Sequence, residues 1–150
     1  MSKYDKLLQD CVNTPYDDLV RLAELNLQKI FPALEDFFED CDFEDCDFED
    51  PIAYVMATTI ANCLGADGKL TALERRFVND ILNANHSHNT LVDLINSRMD
   101  EDHEEMMINL VNGLDEKDAS AYLTFCLCLL ACDETITAEE NAFFRRLLNN

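Results

Sequence analysis

The chain has 150 residues, and its 31 acidic and 11 basic side chains give a formal net charge of −20. A phosphate backbone would repel such a surface, so direct nucleic-acid binding is not expected. Apolar residues make up 48 % of the chain, which is enough to form a core, whereas three Gly and three Pro are too few for the turns of a sheet-rich protein. The composition therefore predicts an all-α fold.

The N-terminal part is predicted to form two helices. The first covers residues 3–11, and the second begins after Thr14, a preferred N-cap residue, with Pro15 at the first helical position. Leucines and isoleucines then recur at helical spacing until Pro32, which is predicted to break or kink the helix.

An acidic segment follows. Residues 35–50 contain ten acidic groups and no basic one, and they repeat Cys-Asp-Phe-Glu-Asp in tandem. Like-charge repulsion predicts a linker or an exposed segment. Its phenylalanines have two interpretations: they pack onto the domain, or they anchor an acidic–aromatic interaction motif. In the second case a protein partner with a basic surface would contact Asp42, Phe43, Glu44, Asp45, Asp47, Phe48, Glu49 and Asp50.

The second half of the chain is predicted to be helical throughout. Pro51 starts a helix that Gly65 ends, and the further predicted helices cover residues 71–83, 90–98, 100–114, 116–132 and 137–150. The order is helix–loop–helix, linking helices, and helix–loop–helix again. We therefore divide the chain into an N-terminal helical extension, residues 1–50, and a compact helical domain, residues 51–150.

Two stretches 66 residues apart carry the same pattern: ADGKLTALE at 66–74 and CDETITAEE at 132–140. Thr71 with Glu74, and Thr137 with Glu140, match the capping-box spacing, so helix capping alone accounts for these residue types.

Both glutamates are predicted to face the core. At about 100° per residue, Glu74 falls within an apolar stripe formed by Phe77, Val78, Ile81 and Leu82, and Glu140 falls within a stripe formed by Phe143, Phe144, Leu147 and Leu148. A carboxylate there needs a partner, which can be a backbone amide, an arginine or a metal ion.

Asp67 and Asp133 precede these helices and can fold back toward them, so the candidate metal ligands are Asp67, Glu74, Asp133 and Glu140. Oxygen ligands of this kind suit Ca²⁺, Mg²⁺ or Mn²⁺. A true EF-hand is disfavoured, because its leading acidic positions hold Cys63 and Gly65 in the first copy, and Leu129 and Ala131 in the second.

The stretches IANCLGADGKLTALERRFVNDIL and LCLLACDETITAEENAFFRRLL resemble the TerB-like, tellurite-resistance family, to which a domain of the co-chaperone DjlA is related. The resemblance covers residues 51–150 and rests on a helix entrance that occurs twice. It implies an all-helical bundle with two helix–loop–helix repeats, a part in metal or oxyanion stress, and chelation of a cation by the four acidic residues named above. Glu134 stands where the family usually has Gly.

Other possible sites have simpler interpretations. Cys128 and Cys132 share a helix face but lie in the most apolar stretch, which favours core packing over a zinc site. His86 and His88 are predicted to lie in a solvated loop. Seven cysteines, an odd number, and no apolar leader or membrane-length apolar run indicate reduced thiols in a cytoplasmic protein.

No nucleophile–base pair or glycine-rich phosphate loop is recognisable, so a non-enzyme is expected. Two functional hypotheses remain. The first is a TerB-like cation-binding or protein-interaction scaffold in a stress-response system. The alternative is an acidic inhibitor or nucleic-acid mimic that binds a basic protein partner.

Overall fold

The computed structural model of the chain describes residues 3–39, 51–65, 70–98, 101–132 and 137–148. These residues form helices and contain no strand, which confirms the all-α prediction. The helices are α1 (Lys3–Val12), α2 (Tyr16–Glu39), α3 (Pro51–Gly65), α4 (Ala72–Leu82), α5 (His88–Arg98), α6 (Glu101–Gly113), α7 (Glu116–Ala131) and α8 (Ala138–Leu148).

Helix α7 lies at the centre of the described fold. From Ala121 to Ala131 every side chain except Thr124 is buried, because this stretch is apolar on all faces. It contacts helices α1, α2, α3, α4, α6 and α8. The other helices therefore surround α7, and their apolar faces complete one hydrophobic cluster with it.

The N-terminal helices belong to the same cluster. Cys11 from α1 and Leu19, Ile30 and Leu34 from α2 are buried with the core residues of α7. Among the described helix pairs, α2 and α7 have the most extensive contact. The predicted division at residue 50 remains a prediction, but α1 and α2 share a core with the second half.

In the N-terminal part, the structure contradicts a helix break at Pro32, one of the two predicted alternatives, and the predicted capping role of Thr14. Helix α2 continues through Pro32 to Glu39, so the proline does not break it, and the first five residues of the acidic segment are helical. Buried Ile30 and Leu34 flank the proline and hold both sides of it against the core. The Thr14 hydroxyl, expected to cap α2, donates to the Asp10 carbonyl at 2.5 Å and so closes the end of α1.

The predicted duplication is visible in the helix boundaries. Helices α3 and α7 end at Gly65 and Ala131, and α4 and α8 cover Ala72–Leu82 and Ala138–Leu148. Each of these boundaries in the second copy comes 66 residues after its counterpart in the first. Each copy thus has the same helix end, the same connection length and the same second helix.

Two predictions fall outside the described residues: the placement of Asp67 and Asp133, and the acidic–aromatic contact residues, all of which lie within 40–50. None of the described helices is both long and apolar enough to cross a lipid bilayer.

Candidate functional site at the two helix entrances

Helix α4 begins with a complete capping box. Thr71 is the N-cap, with extended backbone angles (φ −84°, ψ 161°), and its Oγ1 accepts a hydrogen bond from the Glu74 N–H at 3.1 Å. In return the Thr71 N–H donates to Glu74 Oε1 at 2.9 Å. Two amides that the helix leaves without an internal acceptor are satisfied in this way.

Helix α8 repeats this arrangement. The Glu140 N–H donates to Thr137 Oγ1 at 3.1 Å, and the Thr137 N–H donates to Glu140 Oε1 at 3.0 Å. The two distances at α8 match the two at α4 to within 0.1 Å. The capping boxes predicted from Thr-x-x-Glu are therefore confirmed in both copies.

Both glutamates are also core residues. Glu74 and Glu140 are each only 1 % exposed, and they share their helix faces with the buried pairs Phe77–Val78 and Phe143–Phe144. This confirms that the carboxylates point inward. One residue of the apolar stripe predicted for α4 is not buried: Leu82, at the end of the helix, is 39 % exposed.

The glutamates therefore combine two properties that normally exclude each other. A cap residue is usually solvated, whereas these carboxylates are removed from water, where an unpaired charge is costly. One oxygen of each accepts a backbone N–H. The cap uses one oxygen of each carboxylate, and each glutamate has a further interaction within the protein. Among the described residues, no three potential ligand side chains converge on a metal site.

The charge of Glu140 acts on a buried thiol near the end of α3. The pKa of the Cys63 thiol is raised well above its usual value, first by burial, then by its contact with Cys126 and by the negative charge of Glu140. Glu140 is thus close enough to Cys63 for its charge to be felt there. The carboxylate and the thiols of α3 and α7 form one buried polar region inside an apolar core.

The cysteines of α7 confirm the core-packing interpretation. Cys126, Cys128 and Cys132 are buried, and the Cys132 thiol donates to the Leu129 carbonyl at 3.1 Å. A hydrogen bond with Cys11 and burial both raise the pKa of the Cys128 thiol. Buried cysteines act as small packing residues. For Cys128, the raised pKa also keeps the thiol neutral and therefore weakly nucleophilic.

A buried hydroxyl pair was not foreseen from the sequence. Thr59 on α3 donates to the Val55 carbonyl at 2.8 Å, and its oxygen lies 2.6 Å from the Tyr122 hydroxyl on α7. If the single Thr59 proton is used within α3, the Tyr122 hydroxyl is the donor between the helices. Nothing in the sequence signals a contact between residues 63 positions apart.

His86 and His88 are both exposed, as predicted, and His86 lies in the connection between α4 and α5. The predicted loop position is wrong for His88, which begins α5. No family profile, curated protein or solved structure matches this chain. The resemblance to the TerB-like family therefore rests on the two helix entrances alone.

Proposed function

We propose that the chain is a non-enzymatic, TerB-like helical module that binds a divalent cation (Ca²⁺, Mg²⁺ or Mn²⁺) at its two helix entrances. In this proposal it acts as a scaffold within a stress-response system of the tellurite-resistance type. The proposal is carried by one observation: a buried carboxylate occupies the same position at both entrances, Glu74 and Glu140.

Capping by itself does not require a charge. Glutamine closes a capping box as glutamate does, because its amide oxygen accepts the same N–H. A charged group at 1 % exposure is the costlier choice, and the chain makes it twice. A role that uses negative charge would account for this choice, and carboxylate oxygens are ligands that suit a divalent cation.

The remaining ligands would come from the preceding loops. Asp67 and Asp133 stand seven residues before Glu74 and Glu140. Main-chain carbonyls and waters complete such sites in other proteins. Ca²⁺, with six to eight flexible ligands, is more tolerant of this mixture than Mg²⁺, which demands a near-ideal octahedron.

The test compares Glu74→Gln and Glu140→Gln with Glu139→Gln, which removes the same charge from an exposed position in the first turn of α8. Thermal unfolding is measured in EDTA and in Ca²⁺, Mg²⁺ or Mn²⁺, at equal ionic strength. A cation at 100 times its Kd stabilises the fold by about 2.7 kcal/mol. We expect this gain in the wild type and in Glu139→Gln, and its reduction in each buried variant.

The control is the same measurement in sodium chloride at matched ionic strength. It is needed because any divalent cation screens the repulsion within a chain of charge −20. Such screening would stabilise all variants equally. If no cation raises the wild-type melting temperature above the matched sodium control, or if the three variants respond alike, the cation proposal is wrong.

The exposed acidic side chains of α2 favour a second candidate, an acidic protein that binds a basic partner. These residues are Asp17, Asp18, Glu24, Glu35 and Asp36. Together with residues 40–50 they would give an acidic surface a large share of the net charge. Deletion of residues 40–50 separates the candidates, with poly-lysine as the probe. An interaction arm loses affinity for the polycation beyond the effect of adding salt, whereas a cation module keeps its metal-dependent stabilisation.

A further inference from the structure

A second region of the molecule carries chemistry that the helix entrances do not use. A groove of about 710 Å³ runs along the outer side of α4 and the connection to α5. Its polar lining includes Arg75, Arg76, Asn79, Asp80, Asn85 and His86. Two arginines on one groove wall are notable in a chain with 11 basic residues in total.

One wall of the groove is held in place without any ligand. The Asn79 side chain donates to the His86 carbonyl at 3.0 Å and accepts from the His86 N–H at 2.8 Å. Asn83 ends α4 in the left-handed region (φ 51°), and the Ala84 N–H returns to the Asn79 carbonyl at 2.9 Å. The connection is thereby fixed to the helix, so binding would not have to order it first.

The acidic residue of the groove already has partners. Asp80 Oδ2 accepts a hydrogen bond from the Tyr16 hydroxyl at 2.6 Å and lies 3.7 Å from Arg76 Nε. The Arg76 guanidinium also stacks 4.4 Å from the centre of the Tyr16 ring. The opposite charges of Asp80 and Arg76 thus neutralise each other, so Arg75 supplies the remaining positive charge of the groove.

Arg75 has no counter-charge among the residues that the structure describes. Its side chain is half-buried, and no described group lies within ion-pairing or hydrogen-bonding distance of the guanidinium. It stands in the first turn of α4, where the helix dipole is positive and a cation is disfavoured. The guanidinium charge is therefore available to an anion in the groove.

The charge of −20 on the whole chain does not prevent this. At physiological salt the screening length is about 8 Å, so exposed acidic groups beyond that distance act weakly in the groove. Arg75, Arg76 and Asp80 leave a local excess of one positive charge. A second groove, of about 590 Å³ between α2 and α7, has no excess charge, because Asp115 and Glu116 oppose Lys29 and Lys117 there.

We infer that the groove beside α4 is a binding site for a small molecule that carries a phosphate group. Arg75 binds the phosphate. A guanidinium presents paired N–H donors that match phosphate oxygens. The volume exceeds that of a lone phosphate and lies in the range of small-molecule sites. Asn85 and Ser87, which also line it, offer polar groups to the rest of the ligand.

The test is a ¹⁵N NMR titration of the full chain, with inorganic phosphate in one arm and glycerol 3-phosphate in the other, at constant ionic strength. We expect saturable shifts of the amides of Arg75, Asn85 and His86, and tighter binding of the ester. Arg75→Gln weakens binding about tenfold or more, the effect of losing a charged hydrogen-bonding group. Lys117→Gln, an equal charge change in the other groove, leaves binding unchanged.

Arg75→Lys serves as a second variant that keeps the charge, and we expect it to retain part of the affinity because it lacks the paired donors. Circular dichroism of each variant shows that the helices are intact. Tighter binding of free phosphate than of the ester would restrict the site to the inorganic ion and overturn the small-molecule assignment. Absence of saturable shifts, or equal weakening by Arg75→Gln and Lys117→Gln, would overturn the site itself.

Discussion

The two capping boxes allow a quantitative prediction. Thr71→Ala removes the oxygen that accepts the Glu74 N–H at 3.1 Å, but leaves the reciprocal bond from the residue 71 N–H to Glu74 Oε1. Loss of an N-cap side chain costs about 1 kcal/mol. Thr137→Ala has the same effect at α8, because the geometry there is the same. For a chain of this size the expected fall in melting temperature is about 3 °C for each substitution.

The free energy of unfolding is measured by urea denaturation, with an unchanged m-value as the sign that only stability has altered. The two boxes are on different helices and share no bond, so the double variant should lose about 2 kcal/mol, the sum of the single effects. Thr124→Ala is the control, since its hydroxyl only donates to the Ser120 carbonyl within α7. We expect it to change stability by less than about 0.5 kcal/mol.

Two results would refute this reasoning. If Thr124→Ala costs as much as Thr71→Ala, the effect comes from losing any threonine and not from the cap. If Thr71→Ala and Thr137→Ala differ by much more than about 0.5 kcal/mol, the two entrances are not energetically equivalent despite their equal distances. The second result would also weaken the proposal that both entrances serve one function.

Two further predictions concern the buried polar groups. Tyr122→Phe should lower the free energy of unfolding by about 1 kcal/mol. Thr59→Val should lower it more, by about 1–3 kcal/mol, because it leaves the Tyr122 donor buried without its acceptor. Urea denaturation measures both, and the reverse order would mean that Tyr122 is not the donor. Burial raises the pKa of the Cys63 thiol, and the hydrogen bond with Cys11 and burial raise the pKa of Cys128, so both should stay neutral at pH 8 and resist iodoacetamide in the folded protein. Both should react after unfolding, and peptide mass spectrometry measures the labelling. Rapid labelling of either thiol in the native state would contradict its burial.

The sequence was sufficient where the signal is local. The capping boxes at Thr71 and Thr137 depend on residues three positions apart, and the inward direction of Glu74 and Glu140 follows from the helical period. Both were predicted and confirmed. The prediction that Leu82 belongs to the buried stripe was wrong, because Leu82 is the last residue of α4 and the buried face of the helix ends before it.

Long-range packing was beyond the reach of such reasoning. Pro32 has a strong local tendency to end a helix, but the packing of α2 along α7 prevails over it. The hydrogen bond between Tyr16 and Asp80 joins residues 64 positions apart, and the two residue types alone do not predict it. The groove around Arg75 depends on that bond and on the Asn79 side chain, so it could only be found in three dimensions.

The central position of α7 has a consequence for the order of events during synthesis. Six other helices rest on residues 116–131, which are translated after most of those helices have left the ribosome. Until then α1, α2, α3, α4 and α6 expose the apolar faces that α7 will cover. The native bundle should therefore form only after residues 116–131 have emerged, and the earlier helices should be prone to aggregation until then.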